Sequence, residues 1–411
     1  MIPARLRRPL MIAALFGAAV LAIGTALSRY DVPRDESARS PVENVVAGIQ
    51  PGADRLWGNG LVAAFYVSAL GLGGAVFLAL TDVTGARWQV GFRWIPRAMT
   101  ALMPVGGAAL LGVLALQLPR FAWQHHGEGD VGPFWFKELW LSTPFFAARA
   151  VVIVLLWAVF ARWVASSGRK KRGGLSALFL VLFALTLSAA GWDWFMALEP
   201  LWFSTIWGVY HFSGLVLATL STIVILGVSS RRARLRPPSP FTDDHLHDLG
   251  QLLFGFSCFW MYIWYSQYML IWYTNIPEEA FYFARRIEGA WGPVMALNVV
   301  LNFGLPFLVL LPRPNKRSAS VMTKIAVVVL IGRWLDLSLM VSPTTAGDTP
   351  VFGIWEIATI VTAVALTALT LTQPVFQPAP IRESALETRA RATEGEPRPN
   401  AGAVAADGLP H

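Results

Sequence analysis

Arg333 and Asp336 stand one helical turn apart in the middle of an otherwise apolar run. A charged side chain at mid-bilayer costs roughly 2.5–3.5 kcal/mol on insertion scales, so such a residue needs a partner or a purpose. At 1.5 Å of rise per residue, position in a run converts to depth. His211 falls slightly to one side of the midplane of its run, and Glu356 and Gln267 lie in the same half of theirs. Asn298 is near the middle of another run, Arg149 and Asp193 are again in that half, and Tyr66 is central. Carboxylates, an imidazole and a phenol gathered in one half of a membrane can take up and pass protons. Each also has a plainer reading. Arg333 and Asp336, at i and i+3, form a neutralised pair, His211 is a hydrogen-bonded core histidine, and Asp193 is a solvated helix end. Glu356 lacks a basic residue one turn away on its own helix.

Absences narrow the chemistry further. Of the six histidines only His211 lies within a span, so the axial pair of a membrane haem is missing. The single cysteine, Cys258, excludes an internal disulfide or an iron–sulfur ligand set and reads as a small apolar filler. His125, His126, Glu128 and Asp130 share one connection, where a metal site is the minor reading. Redox work by this chain would therefore need a diffusible cofactor such as a quinone, with other subunits taking the electrons.

The elements that carry these residues are apolar runs of bilayer length. The chain is 55% hydrophobic and 14% charged, with a mean hydropathy of +0.52, whereas soluble domains carry about 25% charged residues. Runs near 9–27, 57–80, 98–118, 144–165, 175–196, 201–228, 249–274, 289–311, 322–342 and 351–373 can each span hydrocarbon as a helix. Trp57, Trp94, Trp140, Trp202, Tyr273 and Trp291 mark their ends as an aromatic belt. The net charge of +8 does not imply nucleic acid. Its basic residues collect in alternate connections: Arg87, Arg93 and Arg97; Arg169 to Arg172; Arg231 to Arg236; Arg313 to Arg317. The positive-inside rule then places those connections and both termini in the cytoplasm, and the ionisable residues toward the periplasmic half. The first run, following Arg5, Arg7 and Arg8, reads as an uncleaved anchor.

An internal repeat organises the spans. Leu56-Trp57 matches Leu201-Trp202 at an offset of 145, and Phe65-Tyr66-x-Ser68 meets Tyr210-His211-x-Ser213 at the same offset. Pro144 and Arg149 have the spacing of Pro293 and Asn298; Asp193 and Pro200 have that of Asp336 and Pro343. The expected architecture is all-α: an anchor and loop (1–56), two parallel four-helix bundles (57–200 and 201–350), a closing helix (351–373) and a disordered, dispensable tail (374–411).

Two stretches carry a family resemblance. They are Gly191-Trp192-Asp193-Trp194-Phe195-Met196-Ala197-Leu198-Glu199-Pro200-Leu201-Trp202-Phe203-Ser204-Thr205 and the region from His245 to Glu279, above all Ser266-Gln267-Tyr268-Met269-Leu270-Ile271-Trp272-Tyr273. Both resemble the second membrane subunit, of the NrfD/polysulfide-reductase type, of alternative complex III, over roughly spans two to ten. The resemblance implies a quinol:cytochrome c oxidoreductase of a bacterial inner membrane. It also implies a paralogous membrane subunit, a periplasmic iron–sulfur protein and multihaem c-type cytochromes as partners, with menaquinone or ubiquinone as the quinone. Asp193 with Arg149 and Tyr66, or His211 with Asp336 and Arg333, would then handle protons or quinone oxygens. A structural scaffold in that assembly is one alternative. A free-standing transporter, with helix breaks near Pro104 and Pro306, is the other.

Overall fold

The computed structural model describes residues 7–29, 52–117, 139–166, 173–199, 202–232 and 241–372. The loop holding His125 and His126, and the tail from 373 onward, lie outside them. Every regular element among the described residues is helical. The helices are α1 (Arg7–Leu27), α2 (Ala53–Val83), α3 (Trp94–Met99), α4 (Leu102–Gln117), α5 (Thr143–Ser166), α6 (Gly173–Trp194) and α7 (Trp207–Arg232). They continue as α8 (Asp243–Thr274), α9 (Pro277–Ile287), α10 (Gly292–Val299), α11 (Leu305–Leu310), α12 (Arg313–Arg317), α13 (Ala319–Thr345) and α14 (Ile354–Thr372).

Nine helical stretches among the described residues are long and apolar enough to cross a membrane, with α3–α4 and α10–α11 each counting as one broken crossing. The chain is a multi-pass membrane protein. A tenth helix, α8, has the length, at 32 residues, but less hydropathy, because Trp, Tyr, Ser and Gln replace aliphatic residues along it.

Local chemistry sets several boundaries. Thr242 caps α8: its hydroxyl accepts from the His245 amide while the His245 ring accepts from the Thr242 amide, and Asp243 and Asp244 favour the positive end of the helix dipole. Asn275 ends α8 in the left-handed conformation (φ 47°). The sixth run becomes helical at Trp207 rather than near 201. The Trp202 ring is instead held against Tyr282, their centroids 3.8 Å apart and nearly parallel. Pro343 does not end the ninth span, since α13 runs on to Thr345.

Helix breaks lie near both prolines that the transporter alternative singled out. Helix α3 gives way to α4 at Thr100–Ala101, one turn before Pro104. A π-helical turn over Val300–Gly304 precedes Pro306. In each case proline has no N–H for the carbonyl four residues back, and the ladder is locally re-registered.

Helix α2 is the axis of the fold and is buried along nearly its whole length. It packs against α4, α5 and α6 on one side and against α7, α13 and α14 on the other. Close approach requires small residues here: a Cβ on Gly71 would lie 2.5 Å from the Met103 backbone nitrogen, and one on Gly74 2.5 Å from the Pro96 carbonyl. A second group forms around α7, which packs on α8 and α13, with α10 and α11 filling between α8 and α13. The two groups meet through α2, α6, α7 and α13. Helix α1 lies along α14, where a Cβ on Gly17 would meet the Thr362 hydroxyl at 2.2 Å.

Candidate functional site

The buried ionisable residues fall into four sets, three of them toward the helix ends at which α2, α5, α7 and α14 begin. In the first helix group, Asp193 on α6 is 1% exposed. Its carboxylate accepts from Arg149 Nε on α5 at 2.7 Å and from the Trp140 indole at 2.7 Å. Arg149 also donates to the Trp140 carbonyl, and its guanidinium lies 3.9 Å from the Trp140 ring centre. Asp193 is thus a fully engaged buried anion and not a solvated helix end.

In the second group, Asp336 on α13 accepts from Arg333 Nη1 at 2.6 Å, from Asn298 Nδ2 on α10 at 2.8 Å and from the Tyr210 hydroxyl on α7. Asn302, in the π-helical turn, donates to the Asn298 side-chain oxygen at 2.7 Å. Positions paired by the sequence repeat make corresponding bonds. Arg149 bonds Asp193 as Asn298 bonds Asp336, at the positions the proline spacings pair. The amide in place of the guanidinium leaves Asp336 needing another cation, and Arg333 from its own helix supplies it. The guanidinium crosses α7 at Gly214, where a Cβ would sit 1.9 Å from Nη2.

The remaining two sets were not anticipated as units. Arg286 on α9 is 1% exposed and donates to Glu199 at 2.7 Å and to the carbonyls of Tyr282, Leu339 and Met340. Its guanidinium lies 3.6 Å from the Tyr282 ring centre, making a stack of Arg286, Tyr282 and Trp202. Burial raises the Tyr282 phenol well above its ordinary pKa, so it is a neutral donor. Glu356, in the first turn of α14, takes both Arg55 Nε (2.8 Å) and Nη2 (2.6 Å), the Asn59 amide and the Gly353 N–H. Its counter-charge comes from α2, so this bidentate clasp ties the α14 end to the central helix. Replacing Glu356 with Ala is expected to cost about 2 kcal/mol and to speed hydrogen exchange in the first turn of α14, measured by mass spectrometry.

Two small cavities flank the Arg333–Asp336 pair. One is lined by Tyr66, Phe65, His211, Gly214, Arg333 and Leu337. The other is lined by Asp336, Tyr210, Gln267, Arg286, Tyr282 and Trp264 among others. Gln267 donates to the Ser204 hydroxyl at 2.6 Å. Tyr66 does not join Asp193 as expected. Its hydroxyl donates to the Leu330 carbonyl at 2.9 Å, on the α13 side, because α2 faces both helix groups. His211 borders the same cavity as Arg333 but makes no bond to Asp336. Its ring sits among Phe65, Phe195 and Trp207, and neither nitrogen has a partner among the described residues.

No protein-family model matches the chain, and no curated protein matches its sequence. The site is therefore interpreted from its own chemistry. Each cavity has room for about one water molecule. A quinone ring needs several times that space, so neither cavity takes one with the side chains as they stand. Among the described residues no cluster of His, Cys, Asp and Glu is arranged to hold a metal ion. What the arrangement does provide is a series of polar side chains around the two cavities, tied together by the Arg333–Asp336 and Arg286–Glu199 ion pairs. It runs from His211 and Tyr66, past Arg333 and Asp336, to Gln267, Arg286 and Glu199.

Proposed function

We propose that this chain is an integral subunit of a membrane quinol:cytochrome c oxidoreductase of the alternative complex III kind, in which it moves protons. The observation that supports this most is a buried carboxylate, Asp336, that lines one water-sized cavity and is bonded to Arg333, which lines a second. A proton crosses low-dielectric protein along alternating donors and acceptors bridged by water. Asp336 and Glu199 are groups that can take up and release it, and His211, whose ring nitrogens have no partner among the described residues, offers a further site. Arg333 and Arg286 donate to the two carboxylates and supply the counter-charge between transfers.

In this reading both termini are cytoplasmic, the membrane is a bacterial inner membrane, and the series opens toward the periplasm. The partners are those of the resemblance: a paralogous membrane subunit, an iron–sulfur protein and multihaem c-type cytochromes. The quinol is oxidised outside this chain's interior.

A scaffold role is the second reading, favoured by the closure of every one of these carboxylates by an arginine. Asp336→Asn separates the two, since the amide keeps the shape and an acceptor oxygen while losing the exchangeable proton. With the complex assembled normally, quinol-dependent cytochrome c reduction is expected to fall on the order of 100-fold. Unchanged turnover would leave the scaffold.

A further inference from the structure

Outward-facing side chains on most membrane helices of this protein are aliphatic: Val152, Leu155 and Val159 on α5, Val181 and Leu185 on α6. Helix α8 departs from that pattern. Its exposed face carries Gln251, Tyr262, Tyr265, Met269, Trp272 and Tyr273, and this composition is what lowers its hydropathy below that of the other spans. Trp272 and Tyr273, beside the C-cap at Asn275, mark the level of the membrane interface, where such rings are ordinary.

Tyr262 lies deeper. At 1.5 Å per residue it is about 18 Å along the helix from Thr274, beyond the half-thickness of a hydrocarbon core, and a phenol cannot reach back to water from there. Yet Tyr262 is 65% exposed, Tyr265 is 49% exposed, and neither hydroxyl has a protein partner among the described residues. Lipid chains offer such hydroxyls no acceptor. Polar and aromatic side chains at this depth are what join one membrane helix to another.

We propose that the exposed face of α8 is a docking surface for a transmembrane helix of a different polypeptide. That helix presents hydrogen-bond acceptors at the level of Tyr262 and Tyr265 and basic groups at the rim beyond Asn275. The rim supplies the charge argument. Glu278 is exposed just past the end of α8, with Glu279 partly exposed beside it. All copies of a chain insert in one orientation, so a second copy docked by two-fold symmetry on this face would align equal levels. Glu278 would then face Glu278. A different partner with a basic rim avoids that conflict. The inference rests on helix composition and depth and does not depend on the redox reading.

The test is photocrosslinking of the full chain in its native membrane, with p-benzoylphenylalanine placed singly at Tyr262, Tyr265, Leu155 and Val181. Tyr262 and Tyr265 are expected to give an adduct with one other polypeptide, the crosslinked residue lying in one of its membrane-spanning segments, while Leu155 and Val181 give little or none. Glu278→Lys is expected to lower the yield at Tyr265 severalfold. An adduct of two copies of this chain, adducts to lipid alone, or equal protein adducts at Leu155 would overturn the proposal. An unchanged yield with Glu278→Lys would overturn its basic-rim component.

Discussion

Asp336→Ala is expected to destabilise the protein by about 3–5 kcal/mol, and Arg333→Met by a similar amount, whereas the double variant should recover at least half of either loss. The asymmetry follows from burial: Arg333 is 3% and Asp336 1% exposed, and among the described residues each is the other's only opposite charge within bonding distance. Removing either one leaves a lone charge in a medium that solvates it poorly. Removing both leaves neutral groups, chiefly the Tyr210 hydroxyl and the Asn298 amide, which lose an acceptor but carry no charge. The double variant should therefore remain below the parent, by the cost of those unmet donors. Gly214→Ala is expected to resemble the single variants, because its Cβ would occupy the place of the guanidinium. Cys258, the one cysteine, is a built-in reporter: its modification rate in mild detergent, followed through thermal unfolding, measures the losses. Single variants within about 1 kcal/mol of the parent would show that water or another group already compensates the charges.

The helices were legible because bilayer length and apolar composition leave the backbone no other way to meet its hydrogen bonds. Helix α8 was legible as a long helix, but Trp, Tyr, Ser and Gln along it keep it outside the nine stretches apolar enough to cross a membrane. Within the site, Arg333 with Asp336 could be read from one helix, where i and i+3 share a face. Arg149 with Asp193 came through only as repeat positions, because the sequence holds no distance between two helices. Tyr66 was grouped with Asp193 for the same reason: rotation of α2 about its axis decides which bundle a side chain faces, and a helix buried on all sides has no apolar stripe to fix that rotation. Glu356 looked uncompensated because Arg55 is 301 residues away along the chain. Glu199 and Arg286 fall in connections between the apolar runs, and only the packing of α9 back onto the bundle buries them. Tyr210 was within view, one residue before His211 in the repeat. Its role went unread because a tyrosine among aromatics gives no sign of which polar group its hydroxyl meets.

Arg286 and Glu199 are expected to respond very differently to replacement, although they form one ion pair. Arg286→Met should cost about 3–5 kcal/mol, since it strips Glu199 of its counter-charge and leaves the carbonyls of Tyr282, Leu339 and Met340 without their donor. It also empties the cationic layer of the Arg286–Tyr282–Trp202 stack. Glu199→Gln should cost only about 1–2 kcal/mol. The amide oxygen still accepts from Arg286 and from the Thr344 hydroxyl, and the guanidinium keeps its three carbonyls. The partner that is cheap to change structurally is the one the proton reading needs most. Glu199 Oε2 is buried with no partner among the described residues, a free acceptor at the end of the series. In the assembled complex Glu199→Gln is thus expected to slow quinol-dependent cytochrome c reduction about tenfold or more while stability falls by far less than in Arg286→Met. Equal, small effects of Glu199→Gln on both measurements would confine the pair to holding α9 against α13. A large loss of turnover with little loss of stability would support the proton reading, since glutamine cannot take up and release a proton.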